Sequence, residues 1–268
     1  MPVPISDFCT TVIAKPKPPD KGDITLSIVV PVLNEEKLLE QTLRVFTPEL
    51  QARFQAEIIV SDGGSTDSSV SIALTHTSNV VVHSGEHRQT IAEGRNKGAE
   101  VAQGSVLIFI NADTVPANAE GFLATIVCFA DRQGRYGRAS ALACPVHVNP
   151  SEARLFDSIF HPLYNTYIAL LNLLRIGAGR GECQIVRTDV FRAVGGYRPA
   201  LAAGEDFDLF ARIALRARVM FAGDLLMYES PRRYRRFGYL RIVWWWSVNA
   251  LSVLFRGKSS SEEWEQVR

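Results

Sequence analysis

Asp62, Asp113, Glu205 and Asp206 are the carboxylates whose neighbours in the chain suit them to work on a ligand. Asp62 and Asp113 each follow an apolar run, in EIIVSD and in SVLIFINAD, and a third run, TLSIVVP, leads into Val32-Leu33-Asn34-Glu35. In open parallel sheets ligands bind beyond the carboxyl ends of the strands, so polar residues that follow apolar strands carry the weight. Taken singly, Asn34, Ser65 or Asp113 is explained by strand termination or helix capping. Together at one edge, two carboxylates can serve a base or ribose and a metal.

Asn111 and Asp113 bracket a small residue, so both side chains project from one side of an extended turn. Mg²⁺ and Mn²⁺ accept carboxylate oxygen, and Mg²⁺ usually keeps waters while bridging substrate phosphates. Asp113 is the better ligand, because Asn111 offers only a neutral carbonyl. Glu205 and Asp206 open a helical pattern directly after Gly204, where the helix dipole favours their ionised form. An ionised carboxylate there acts as a general base on a hydroxyl, or simply caps its helix. Arg95, Arg232 and Arg233 are either phosphate clamps or solvated surface cations. His83, His87, His147 and His161 have no metal-ligand spacing.

These residues need a scaffold, and the chain from Thr25 alternates short β-branched runs with helical patterns. TLSIVVP precedes a helix over EEKLLEQTLRVF, EIIVSD precedes STDSSVSIALT, NVVVH precedes a helix over Arg88 to Ala102, and SVLIFI precedes one near Ala119 to Ala130. Four such units in series predict a mostly parallel sheet with helices on both faces. The second half predicts a strand ALACPV, a long helix from Leu155 to Leu174, a Gly-rich turn GAGRGE, a strand CQIVR, a helix from Glu205 to Ala217 and two short strands.

The bulk numbers fit one sizeable α/β domain: 268 residues, 47% of them hydrophobic. Lys plus Arg total 29 against 28 Asp plus Glu, so no whole-molecule field gathers nucleic acid. Cys9, Cys128, Cys144 and Cys183 are scattered, which suggests neither a zinc site nor a disulfide framework and fits a reducing cytoplasm. Residues 1–24 read as a flexible leader without an export signal, 25–236 as the domain, and 237–268 as a C-terminal helix and tail.

SIVVPVLNEE, EIIVSDGGSTDSS, GRNKGAEVAQGSVLIFINADT and VFRAVGGYRPALAAGEDFDLFARI, in that order, resemble the family-2 glycosyltransferases of the GT-A fold, over Leu26 to about Leu215. The resemblance implies inverting transfer of a sugar from a nucleotide diphosphate donor to a hydroxyl acceptor, assisted by Mg²⁺ or Mn²⁺. Matched position by position, Pro31, Leu33 and Glu35 line the nucleotide pocket, Asp62 contacts the base and Arg95 sits on the donor side. Asp113 is the metal-binding acid of the DxD-like motif, with Asn111 in place of its first acid, and Asp206 of the Glu205-Asp206 pair is the base. ESPRRYRRFG resembles the basic loop that closes smaller members, which places Arg232 and Arg233 on the diphosphate.

Trp244 to Trp246 follow five arginines between Arg232 and Arg241. This segment is either a helix packed on the domain or one lying on an anionic membrane surface, the inner face of the cytoplasmic membrane, where a lipid-linked acceptor would be met. Two rival readings stand beside the transferase. One is a nucleotidyltransferase, against which the acidic, Gly-free VLNEE loop argues. The other is a non-catalytic nucleotide-sugar-binding member of the fold.

Overall fold

The computed structural model describes residues 10–13, 24–85, 87–256 and 259. Its main sheet grows outward from β2 (Leu26–Val32), flanked by β3 (Ala56–Asp62) and β5 (Val106–Ile110), with β4 (Asn79–His83) beyond β3, all four parallel. β-Branched and aliphatic side chains fill both faces, as strands covered on both sides require. Leu26, Ile28, Val30 and Val32 enter one core and Val29 the other; Ile58 and Val60 oppose Ile59, and Ile108 opposes Leu107 and Phe109. The period of two therefore sorts one continuous apolar run into two cores.

Helices α1 (Leu39–Arg44), α3 (Ser69–His76) and α5 (Ala119–Ala130) pack on the first core. The second is covered by α4 (Ile91–Val101), α6 (Leu155–Leu173), α7 (Thr188–Ala193) and α8 (Glu205–Ala214). Between α1 and β3 lies the short α2 (Pro48–Arg53). Gly98 lets α4 lie close to β2, since a Cβ there would stand 2.3 Å from Val29 Cγ1.

Beyond β5 the sheet continues through β9 (Cys183–Arg187), antiparallel to both β5 and β7 (Ala141–Ala143), and ends with β10 (Val219–Phe221) parallel to β7. A second sheet places β11 (Met227–Glu229) between β6 (Thr114–Pro116) and β8 (Val146–Val148). The chain then forms α9 (Arg232–Phe237) and α10 (Tyr239–Arg256). This is the expected mostly parallel α/β architecture with helices on both faces.

Several local expectations are corrected. Within the stretch read as a leader, β1 (Thr10–Ile13) pairs antiparallel with β4 as an edge strand; residues 1–9 and 14–23 lie outside the described residues, as does Cys9. ALACPV is two strands in different sheets, because the chain changes sheet at Cys144-Pro145. The helix expected from Arg88 starts at Ile91, where Thr90 and Glu93 form a capping box. The helix expected to reach Ala217 stops at Ala214. The basic segment expected as a loop is mostly helical, in α9. Among the described residues no helix is long and apolar enough to cross a membrane.

Candidate active site

A cleft of about 470 Å³ opens at the carboxyl ends of β2, β3 and β5, and its walls include Pro31, Leu33, Glu35, Arg95, Asn111, Asp113, Glu205, Asp206, Arg232 and Arg233. Ten expected positions, scattered over 200 residues of chain, thus meet at one place. Asp62 alone among the expected site residues stands outside the wall.

The first wall is made by two loops tied to each other. Asn34 takes a left-handed conformation (φ 54°), its backbone N–H donates to Ser65 Oγ at 2.8 Å, and its Oδ1 accepts from the Thr66 N–H at 2.8 Å. The Glu35 N–H donates to Ser69 Oγ at 2.8 Å. Asn34 and Ser65 are therefore struts that brace the loops after β2 and β3. Asp62 is a strut too. Its Oδ2 accepts from the Gly64 and Ser65 N–H groups, each at 2.9 Å, while Oδ1 is buried without a partner. Its neighbours Ser61 and Gly63 face the cleft, and Oδ1 is the oxygen of Asp62 left open to a ligand.

At the centre Arg232 bridges two carboxylates, with Nη2 2.6 Å from Glu35 Oε1 and 3.0 Å from Asp113 Oδ2. Burial raises the Glu35 carboxyl above its usual range, against the pull of Arg232, and Glu35 Oε2 is a buried acceptor without a partner. A cation between Asp113 and Glu35 is thus what this pair accommodates. Among the described residues no three His, Cys, Asp or Glu side chains converge as a self-sufficient metal cage. Of the two acids, Asp113 is the residue that would hold a divalent ion, which would need further oxygen ligands from outside the protein.

Asn111 takes no part in that arrangement. Its Oδ1 accepts from Arg95 Nη2 at 3.0 Å, and the same nitrogen donates to the Gly181 carbonyl at 2.6 Å while Arg95 Nη1 donates to Glu205 Oε1 at 2.8 Å. Arg95 is 1% exposed and Glu205 6%. Both are buried in the cleft wall, where the Glu205 carboxylate is bound to Arg95 beside Asp206.

Asp206 also faces the cavity, with no arginine bound to its carboxylate. Gly204 supplies the left-handed residue (φ 80°) from which α8 starts, and Asp206 Oδ1 accepts from the Phe207 N–H at 2.9 Å. Burial, and then the adjacent Glu205, push its carboxyl up to about 8. A half-buried carboxyl with so high a pKa takes a proton readily once ionised, which is the property of a general base.

Opposite lies a buried network that sequence reasoning passed over. Arg180, 2% exposed, donates from Nη2 to Glu229 Oε1 at 2.7 Å and to Glu182 Oε1 at 3.3 Å, and Tyr234 donates to Glu229 Oε1 at 3.0 Å. Arg180 Nη1 lies 3.4 Å from His161 Nδ1; burial, aided by Arg180, lowers the His161 pKa to about 3, so the ring is neutral. The network continues through Tyr239 to Asp157 and Arg235. The signal for it was an Arg and a Glu set among glycines in GAGRGE immediately before a strand, read as a turn only.

The model of the family described as glycosyl transferase family 2 matches residues 27–194. The chain belongs to that family. An uncharacterised glycosyltransferase of Haemophilus influenzae is 27% identical over 191 residues, 70% of this chain and 61% of that one. Glycosyltransferase AglE of Haloferax volcanii is 29% identical over 94 residues, 34% of this chain and 31% of that protein. The chain thus matches about a third of AglE's length.

Two solved structures share the fold. The mannosyltransferase PcManGT of Pyrobaculum calidifontis, in complex with GDP-Man and Mn²⁺, superposes with a TM-score of 0.60 at 20% identity, covering 80% of this chain and 59% of that one. Glucosyl-3-phosphoglycerate synthase of Mycobacterium tuberculosis, bound to Mn²⁺, UDP and glucosyl-3-phosphoglycerate, gives 0.59 at 18% identity, covering 90% and 83%. The family match places the chain among glycosyltransferases and argues against the nucleotidyltransferase reading.

Proposed function

We propose that this family-2 transferase moves a sugar, with inversion, from a nucleotide diphosphate donor to a hydroxyl acceptor. The observation that carries the reading is that Asp113, with Arg232 and Arg233, and Asp206 wall one cleft. The first group suits a diphosphate, and the second suits the proton of an attacking hydroxyl. Pro31, Leu33 and Glu35, on the braced loop after β2, supply the nucleotide side. The bound GDP-Man and UDP of the two fold neighbours support a donor of this class.

In the reaction Asp206 accepts the acceptor's hydroxyl proton as its oxygen bonds to the anomeric carbon. The bond from that carbon to the diphosphate breaks, and the electron pair leaves with the nucleotide diphosphate. Arg232 and Arg233 meet charge that grows on the leaving group, so they stabilise the transition state more than the ground state. Asp113 would hold Mg²⁺ or Mn²⁺, which would supply Lewis-acid neutralisation of the same charge. Arg95 acts as a positioning residue, because it fixes Asn111, Glu205 and the Gly181 carbonyl around the cleft.

The test is stereochemical. Incubated with a panel of nucleotide diphosphate sugars and Mn²⁺, with water or simple alcohols as acceptors, the enzyme is expected to release nucleotide diphosphate from one donor. The first-formed product, read by proton NMR, is then the inverted anomer. A retained anomer would overturn the single-displacement mechanism and the role of Asp206.

A further inference from the structure

Helix α6 is built inside out. Its buried side chains are Asp157, His161, Asn165 and Asn172 with only Ile168 apolar; the first three meet the Arg180 network, and Asn172 bonds the Ala178 backbone. Its outer face holds Leu155, Ile159, Leu163, Tyr167, Leu170 and Leu173, with Leu155 81%, Leu163 67% and Leu173 77% exposed. At 100° per residue these six fall within an arc of about 120°, a stripe running roughly 28 Å along the helix. A soluble helix ordinarily turns such a stripe towards the core.

The neighbouring helix extends the surface. α10 rests against α6 through Phe156 on Tyr239 (ring centroids 5.0 Å apart) and Tyr164 stacked on Trp246 (5.3 Å), and it exposes Leu240 (86%) and Trp244 (68%). A contiguous apolar patch of this extent marks an interaction surface.

We infer that the outer faces of α6 and α10 form a docking surface for an anionic lipid bilayer. Charge selects this occupant. The one acid of α6, Asp157, is buried and paired with Arg235, and α10 contains none. The rim carries exposed Arg154 and Arg175 at the two ends of α6, exposed Arg236 near the end of α9 and exposed Arg241 in the first turn of α10, with Arg241 4.7 Å from the Trp245 ring centroid. The nearest described exposed acid is Glu152, in the turn before α6, and apolar side chains and Trp flanked by arginines match the boundary between acyl chains and anionic headgroups.

A second copy fits less well. Antiparallel pairing of α6 with itself sets Arg154 of one chain against Arg175 of the other, with no acid on the face to separate them. Tyr164 and Trp246 also wall the cleft, so docking turns that mouth towards the membrane. A lipid-borne acceptor would then enter beside them, a corollary that rests on the transferase reading, whereas docking does not.

The experiment is cosedimentation of the full chain with phosphatidylcholine vesicles and with mixed phosphatidylcholine–phosphatidylglycerol vesicles, without donor or acceptor. Binding is expected only to the anionic vesicles, weakening as salt rises, and falling by about tenfold or more in Leu163→Glu/Trp244→Glu and in Arg154→Glu/Arg241→Glu. Leu74→Gln, at an exposed apolar position on α3, serves as the control and keeps full binding. Absence of binding to anionic vesicles, or binding that the face variants leave unchanged, overturns the inference. So does a dimer in sedimentation velocity that the Leu163→Glu/Trp244→Glu variant dissociates, since the face would then belong to a second copy.

Discussion

At the residue scale the account turns on how differently three acids of the cleft are held. Glu205 is bound by a buried arginine, Asp113 faces a cation that a ligand can displace, and Asp206 sits beside the cavity with only a backbone N–H from its own helix. Asp206→Asn is therefore expected to lower transfer by roughly 10²- to 10⁴-fold and to leave donor affinity essentially unchanged. Steady-state kinetics set beside nucleotide titration of the same variant check both halves. A base must be ionised to act, so kcat/KM should rise with pH up to about 8 and level off above it, and the limb should vanish in Asp206→Asn.

The same shift has a signed consequence for folding. The native carboxyl keeps its proton between its ordinary value of 3.8 and about 8, whereas the unfolded one has lost it, so this group's contribution to stability declines as pH rises through that window. Thermal melts from pH 5 to 8 should decline less for Asp206→Asn than for the parent.

At the element scale the site depends on loops and helix starts pinned by side-chain hydrogen bonds between residues remote in sequence. The Arg180 network joins the loop before β9, the end of β11, α6 and α9 into the floor of the cleft. Arg180→Met leaves Glu182 and Glu229 buried without their cation, and chemical denaturation should report a loss of about 3–5 kcal/mol. Gly177 sets another limit, since it has φ +80° and a Cβ there would stand 2.4 Å from the Phe210 carbonyl oxygen.

Strands and helices of the first half were legible because each carries its own period: the runs at Leu26, Ala56 and Val106 are β-branched and bounded by polar turns. Cys183–Arg187 was found for the same reason. What could not be read was pairing over distance. Nothing local in Thr114–Pro116, Val146–Val148 and Met227–Glu229 says that they form one sheet. The polar face of α6 likewise has meaning only once Arg180, remote in sequence, is set against it.

For the whole molecule, one sheet edge gathers the expected site residues, and Tyr164 of α6 and Trp246 of α10 line the same cleft. The residues gathered were readable as types at strand ends. Their protein partners were not, because Asp62, Asn111 and Glu205 look in the sequence like Asp113 and Asp206, and only the positions of the Gly64-Ser65 turn and of Arg95 show which of them are already hydrogen-bonded.

The central claim is that Asp113 and Arg232 hold a nucleotide diphosphate while Asp206 is reserved for the acceptor, and calorimetric titration of the full chain with nucleotide diphosphate sugars tests it most directly. The parent and Asp206→Asn should bind one donor with Mn²⁺ or Mg²⁺ and lose it with chelator, and Asp113→Ala should bind weakly whether metal is present or not. Donor binding that is equally tight with chelator and in Asp113→Ala would contradict the account.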